Sequence, residues 1–433
     1  MPDQVSRVRN PLSLFGAWLT TLSAFAFIGY SALEAFGLIE SPYAGILGYV
    51  LVPAVFVFGL LLIPLGIWRE DRRRRHGKAP WQWPLIDLRQ SRTRTIVAAV
   101  TLLTLVNVTI VAVAGTGAVH YTESVTFCGQ VCHTPMRPEF TAHMSPPHAN
   151  VACVECHVAP GAKGFVNAKM AGTRQLYEVT VGKFNRPIPS PARGVPHAID
   201  TCDRCHTPGH PERDVTRVNH SYADDAANTD SPTTLTMHVA DIHWHAKPAT
   251  RVEYIASDDK RETIPYVRVT DDKGGVTEYF ADGVKARPSG ELRRMDCLDC
   301  HSRPAHTFSA SADRAVNAAM ASGEIARDLP FVHKEVVAAV SEKYPTESAA
   351  FDGIAKHLTD VYKPGEKTTQ LISAAQRLYG RNVFPEMNVG FGTYVTQLGH
   401  VDAPGCFRCH DDSHKSASGA AIKQDCAVCH KIE

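Results

Sequence analysis

The stretch TIVAAVTLLTLVNVTIVAVAGTGAVHYTESVTFCGQVCH, residues 95–133, contains the two features that decide the fold of this 433-residue chain. Its first part, Thr95–Val119, has no charged side chain and exceeds the roughly 20 residues that cross the hydrocarbon of a bilayer as a helix. Its last part places Cys128, Cys132 and His133 shortly after that segment. The stretch therefore predicts a membrane helix that leads into a Cys/His site at the membrane surface.

Two segments before residue 95 share this length and composition. Leu12–Leu33 and Tyr43–Trp68 also lack charged side chains, and membrane helices tolerate Pro53 and Pro64 in the latter better than soluble helices do. Buried helices of a large soluble core are the alternative, but such helices rarely stay uncharged for this length. We therefore expect three transmembrane helices, the first of them retained and not removed as a signal peptide.

The distribution of charge gives these helices an orientation. Residues 1–120 carry 11 Lys and Arg against 6 Asp and Glu, and most of the excess lies in the loop 69–94, with four consecutive Arg at 72–75. The positive-inside rule places the N-terminus and this loop in the cytoplasm. Three crossings then put everything after Val119 on the extracytoplasmic side. A basic excess confined to one short loop does not favour a nucleic-acid partner, and we expect none.

The Cys pattern indicates the cofactor. All twelve Cys follow residue 120 and form six close pairs, five of which read C-x-x-C-H, whereas chance would supply about 0.02 such pentads. In this pattern two thiols form thioethers with haem and the adjacent His ligates the iron. Structural disulfides and zinc ribbons also use paired Cys, but neither explains the trailing His. The five motifs are Cys153/Cys156/His157, Cys202/Cys205/His206, Cys297/Cys300/His301, Cys406/Cys409/His410 and Cys426/Cys429/His430.

The remaining pair, the first in the chain, has one extra residue between its thiols. Cys128 and Cys132 are followed by His133 in the pattern C-x-x-x-C-H, which still allows two thioethers if the loop bulges. A disulfide or a free thiol pair is the alternative. The position just behind the third predicted span favours haem, because a first redox centre would lie there at the membrane surface. We therefore expect six haems c.

The remaining His supply candidates for the second axial ligand of each iron. Ligation by two imidazoles fills both axial positions, which suits electron transfer rather than substrate binding. Several His lie within a few residues of a C-x-x-C-H motif, and three, His238, His243 and His245, lie close together in the sequence MHVADIHWH, residues 237–245. The candidate distal ligands are His148, His220, His243, His245, His306, His400 and His414.

These observations predict a membrane-anchored multihaem cytochrome c. Its three transmembrane helices precede a mostly α-helical or irregular, haem-packed extracytoplasmic domain with a small β insertion, because residues 250–282 alternate like strands around a Gly turn. The predicted segments are 1–40, first transmembrane helix; 41–94, second transmembrane helix and basic loop; 95–120, third transmembrane helix; 121–230, three haem motifs; 231–310, β insertion and fourth motif; and 311–433, helical segment and C-terminal dihaem tail.

The motifs resemble the NapC/NirT/NrfH family of membrane-anchored multihaem quinol dehydrogenases. The resemblance runs from the third span to about His206 and includes FCGQVCHTPM, residues 127–136, and HANVACVECHVAP, residues 148–160. The two extra spans and FPEMNVGFGTY, residues 384–394, look like a three-span branch found in metal-reducing bacteria. This resemblance implies that electrons pass from the quinone pool to periplasmic carriers. In the family, a His before the second motif is a distal ligand, and His148 matches it.

The resemblance also implies a quinol site beside the first haem. A Met after the first motif can ligate that iron; Met136 matches in kind but stands three residues after His133, where the family has two. A Lys twelve residues past the second motif's His lies near the quinol in the family, and here that residue is Lys169. The family often has an acidic residue one or two turns further, which Glu178 matches.

The physical requirements of quinol oxidation are a separate argument for this site. A quinol releases two electrons and two protons, so it needs a nearby haem, a group that favours the developing anion and a proton acceptor. Lys169, Arg174 and Glu178 are the candidate catalytic residues together with Met136. The predicted protein oxidises menaquinol or ubiquinol in the inner membrane and delivers single electrons to a periplasmic c-type cytochrome or terminal reductase. Reverse flow, a haem-wire subunit docked to another membrane complex, and a multihaem reductase of a small molecule are the alternatives.

Overall fold

The chain forms two units in the computed structural model. One comprises Met1–Thr122 with Val158–Gly172, and the other comprises Glu123–His157 with Thr173–Glu433. The residues that the structure describes are 10–35, 51–77, 88–145, 147–190, 196–206, 213–246, 250–394 and 396–433.

The first unit contains the long apolar helices. They are α1, Pro11–Ala35; α2, Val52–Arg75; and α3, Ser91–Glu123. Two helical stretches, Pro11–Tyr30 and Val52–Arg75, are long and apolar enough to cross a membrane. The third predicted span lies within the 33 continuous residues of α3, and its crossing remains a prediction. Residues 43–50 of the second predicted span and 78–87 of the basic loop lie outside the described residues.

Small residues bring α1 and α2 into close contact. A Cβ added at Gly59 would lie 2.5 Å from Thr20 Oγ1, and one at Gly16 would lie 2.6 Å from the Gly59 carbonyl oxygen. The Ser13 hydroxyl also donates a hydrogen bond to the Ile63 carbonyl at 2.8 Å. Such close approach through small residues, with a hydroxyl bonded across the interface, is how helices associate in membranes.

Short helices carry the first three haem motifs. The extra residue of the first motif is accommodated in a wide π-helical turn, Phe127–Val131, since this turn holds more residues than an α-helical one. Gly129 is required there because an added Cβ would overlap the ring of Phe140. The helices that follow are α4, His133–His143; α5, Cys153–His157; α6, Gly161–Thr180; and α7, Ala198–Thr201, which continues into a 3₁₀ turn, Cys202–Arg204.

Two antiparallel sheets surround the later motifs. The three-stranded sheet has the order β1-β2-β8 and the five-stranded sheet the order β6-β3-β4-β5-β7. In β8 the His of the last motif is part of the ladder, since His430 pairs with Met237. The strands are β1, Val215–Asn219; β2, Thr233–Met237; β3, Arg251–Ile255; β4, Tyr266–Thr270; β5, Val276–Phe280; β6, Arg293–Arg294; β7, Lys415–Ser416; and β8, His430–Ile432.

A bundle of four helices provides the main apolar core of the second unit. Val316, Val336, Ile354 and Leu378 are fully buried, one from each helix. The bundle comprises α9, Ala312–Ala321; α10, Val332–Ser341; α11, Glu347–Tyr362; and α12, Glu366–Asn382. The remaining motifs lie in the 3₁₀ turns Cys297–Asp299 and Gly405–Arg408 and in α13, Cys426–Cys429. Three further turns carry no Cys: α8, Val239–Ile242, and the 3₁₀ turns His243–Ala246 and Pro385–Met387.

Candidate functional site

Five of the six motif His face a second imidazole. Two imidazole nitrogens bound at about 2 Å to one metal ion put their ring centroids about 6 Å apart. The donor set and its spacing therefore fit one iron between each pair. The centroid separations are His157–His306 6.2 Å, His206–His148 6.2 Å, His301–His243 6.3 Å, His410–His245 5.9 Å and His430–His400 6.2 Å.

Backbone carbonyls orient several of these rings. When Nδ1–H donates to a carbonyl, the ring is fixed and Nε2 is left with the lone pair that a metal needs. Four rings have Nδ1 at hydrogen-bond distance from a carbonyl oxygen: His148 from Pro304 at 3.1 Å, His245 from Ile242 at 2.9 Å, His306 from Glu139 at 2.9 Å and His410 from Lys423 at 2.9 Å. The Nδ1 contacts thus leave Nε2 as the nitrogen available to an iron in these four rings.

Desolvation favours the ligating form of these side chains. Burial lowers the pKa of His245 and of His306 below the usual value of a histidine, so both rings are neutral at neutral pH, as an iron ligand must be. Burial raises the pKa of the Cys300 thiol to about 11 and that of Cys409 to about 12. These two thiols therefore lie in apolar surroundings, which suit the edge of a haem.

Two motif thiols do not share this burial. Cys205 of the third motif and Cys426 of the sixth are exposed, whereas the other ten Cys are partly covered. At the third motif the chain runs outward along the 3₁₀ turn: Thr201 is buried, Cys202 is half-buried, and Cys205 and His206 are exposed. The attachment of Cys205 to haem stays a prediction from the motif.

The described residues contain neither disulfides nor a cluster of metal ligands. None of the twelve Cys is paired in a disulfide. Across the residues that the structure describes, no group of three or more His, Cys, Asp and Glu side chains is arranged to hold a bare metal ion.

Two predicted distal ligands have other partners. His220 Nδ1 lies 2.9 Å from a carboxylate oxygen of Asp230, and its ring stacks on Tyr222. His414 is buried, with Nδ1 2.9 Å from Asp411 Oδ1 and Nε2 2.7 Å from the Ile264 carbonyl oxygen. Both nitrogens of His414 are thus engaged within the protein. Neither residue belongs to the five pairs, and we leave both out of the proposed ligand set.

The first motif has no imidazole pair among the described residues. The side chain of His133 lies outside the described part of the structure. Met136 lies in the first turn of α4, where its amide donates to the Cys132 carbonyl at 3.1 Å. His133 and Met136 remain the axial ligands predicted from the sequence.

The predicted quinol-site residues separate into two groups. Lys169 Nζ donates to Thr122 Oγ1 at 2.9 Å and lies 4.8 Å from the ring centroid of Phe165. Arg174 and Glu178 instead form an ion pair with each other at 2.8 Å, one turn apart on α6. Lys169 is thus bound to the helix that contains the third predicted span.

Sequence reasoning missed His143. Its side chain is buried, its ring centroid lies 5.8 Å from that of His306, and its Nε2 has no hydrogen-bond partner among the described residues. The available signal was its position ten residues after His133, at the other end of the same helix α4.

Comparison with known proteins agrees with this chemistry. The family model for the N-terminal region of the NapC/NirT cytochrome c family matches residues 90–188. The cytochrome c-type protein ImcH of Geobacter sulfurreducens is 36% identical over 449 residues, which cover 98% of this chain and 88% of that protein. The chain belongs to the NapC/NirT cytochrome c family. No solved structure matches it.

Membership in the NapC/NirT family confirms the resemblance predicted from the motifs. This cytochrome is therefore a multihaem electron-transport protein with covalently bound haem c, and its apolar helices supply the candidate membrane anchors. The matched region contains the third predicted span, the first two haem motifs and Lys169.

Proposed function

We propose that this cytochrome oxidises quinol from the membrane beside its first haem motif and passes the electrons singly through six haems c to a periplasmic acceptor. The observation that carries the proposal is the set of five imidazole pairs behind C-x-x-C-H motifs. Haems with two imidazole ligands accept and donate single electrons without binding a substrate. A chain with this many such sites is suited to conduction, and the one motif of unusual spacing is the candidate for a different role.

The contact between Lys169 and Thr122 supports a quinol site at this end of the chain. The ammonium group of Lys169 is held at the end of α3, hydrogen-bonded to Thr122 and packed on Phe165. Thr122 precedes Cys128 by six residues in the sequence. A cation at this position favours the anion that forms when a quinol hydroxyl loses its proton. The haem-wire alternative gives this polar contact no role.

The acceptor follows from the side of the membrane. With the N-terminus in the cytoplasm, the haem domain lies on the periplasmic side of the inner membrane. A soluble c-type cytochrome or a terminal reductase can receive the electrons there. Reverse flow to quinone would use the same residues, because direction depends on potentials and partners. Docking to another membrane complex is the remaining arrangement.

Reduction by quinol tests the proposal. We expect a menaquinol analogue to reduce the haems of the oxidised, detergent-solubilised full-length protein rapidly. The rise of the haem α-band measures this reduction. Lys169→Ala should slow this at least tenfold with haem content unchanged. Lys163→Ala, on the same helix and exposed, should not. Full reduction by dithionite with none by quinol would instead identify a haem wire whose donor is another protein.

A further inference from the structure

We infer that the six haem motifs lie in space in the same order as in the sequence, so that each is adjacent only to the motifs before and after it. The inference rests on haem attachment at all six motifs, as in the proposed function, and extends it by assigning a single exit at the last motif, Cys426–His430. Each step of the order has its own contact.

The first motif adjoins the second through α4. This helix begins at His133, and its Glu139 carbonyl lies 2.9 Å from Nδ1 of His306. His306 is the imidazole that faces His157 of the second motif. The helix after motif one thus supports a ligand of motif two.

The second motif adjoins the third through an ion pair inside the motifs themselves. Arg204 Nη1 of the third motif lies 2.9 Å from Glu155 Oε2 of the second. These are the residues just before the second thiol in each C-x-x-C-H. The segment before the second motif also supplies His148, which faces His206.

The third motif adjoins the fourth through the same distal ligand. His148 Nδ1 lies 3.1 Å from the Pro304 carbonyl oxygen, and Pro304 follows His301 by three residues. The loop after the fourth motif therefore supports the ring that faces the third.

The fourth motif adjoins the fifth through a buried arginine. Arg408, inside the fifth motif, donates from Nη2 to the carbonyl of Asp299, inside the fourth, at 2.7 Å. It also donates to the carbonyls of Gly405 at 2.8 Å and Arg261 at 3.0 Å. A buried guanidinium bonded to three carbonyls fixes the two loops, because its loss would leave these acceptors unpaired.

The distal ligands of motifs four and five also lie close together. His243 faces His301 and His245 faces His410, and both belong to one 3₁₀ turn, His243–Ala246. One turn of chain therefore serves two irons, which are then neighbours.

The fifth motif adjoins the sixth through stacked rings. Phe407, inside the fifth motif, stacks on His400 with centroids 4.3 Å apart and planes 17° apart. His400 faces His430 of the sixth motif. Gly405, at φ +50°, allows the approach of this loop, since an added Cβ would overlap the Gly399 carbonyl oxygen.

One contact favours a competing order. His306 follows the fourth motif by five residues and yet faces His157 of the second. A branched arrangement, with the fourth motif beside the second, would use the same ligand. The contacts of the third motif favour the unbranched order, because Arg204 pairs with Glu155 of the second motif and His148 lies against Pro304 behind the fourth.

Iron–iron distances in the haem-loaded full-length protein, measured by electron cryo-microscopy in detergent, test the order directly. We expect the iron at each motif to have its sequence neighbours as its nearest irons. An iron of motif two that is nearer to motif four than to motif three would overturn the inference. This measurement does not depend on quinol oxidation.

Haem deletion tests the same order by reduction. In the double variant Cys406→Ser/Cys409→Ser we expect quinol to reduce four of the five remaining haems, while dithionite reduces all five. In the matched variant Cys426→Ser/Cys429→Ser all five should be reduced by quinol. Reduction of all five in the first variant would contradict the order.

If the first variant fails to assemble, the iron distances of the unaltered protein decide. If quinol reduces no haem in the unaltered protein, the quinol site fails and the order is still decided by those distances.

Discussion

At the scale of single residues, an imidazole becomes a candidate iron ligand when a second imidazole lies opposite and its other nitrogen is hydrogen-bonded. His245 meets both conditions, with Nδ1 2.9 Å from the Ile242 carbonyl oxygen and its ring 5.9 Å from that of His410. His220 meets only the second, because its Nδ1 lies next to Asp230 but its ring stacks on Tyr222. The two residues therefore form a matched pair for testing the ligand set.

We predict that His245→Ala converts one haem of six from low-spin to high-spin, because it removes one axial ligand. His220→Ala should leave every haem low-spin. Electron paramagnetic resonance of the oxidised proteins measures both, with haem content checked by the absorbance of the pyridine adduct. A His245→Ala protein with only low-spin haem would remove His245 from the ligand set.

The sequence predicts the attachment residues and all five of the paired distal His, because a covalent motif is local and its ligands lie a few residues away or in a His cluster. His220 and His414 could not be separated from them, since the Asp residues that engage them are recognised only from contacts. The motif does not predict how far each Cys is exposed, since Cys205 is exposed and most other motif Cys are partly covered. The role of Arg408 depends on Asp299, more than a hundred residues earlier, and no local pattern records it.

At the scale of elements, regular periodicity decides what the sequence predicts. Strands β3, β4 and β5 lie where alternation in 250–282 indicates them. The two- and three-residue strands β6, β7 and β8 are too short to show a period, and they form only because a longer strand lies beside them. The helical segment expected after residue 311 contains α9, α10, α11 and α12.

The packing of α1 on α2 gives a prediction at this scale. Gly59→Leu should lower the thermal midpoint of the detergent-solubilised protein, because overpacking a close helix contact costs about 1–3 kcal/mol. Gly29→Leu on α1 is the control, since a Cβ there meets no atom within 4 Å among the described residues. Circular dichroism of both variants during heating measures the effect. Equal midpoints for the two variants would show that this contact does not stabilise the pair.

At the scale of the whole molecule, the side of the membrane on which the haem domain lies depends on whether α3 crosses. If only α1 and α2 crossed, the basic loop 69–94 and the haem motifs would lie on the same side of the membrane. Positive charge holds the loop in the cytoplasm, whereas the predicted acceptor is periplasmic. We predict that a fluorescent protein inserted after Ala79 fluoresces in the cytoplasm and that alkaline phosphatase fused after Glu433 is active in the periplasm. The exchanged reporters, phosphatase after Ala79 and fluorescent protein after Glu433, should both be inactive. Phosphatase activity at both positions, or at neither, would place loop and haem domain on one side and show that α3 does not span the bilayer.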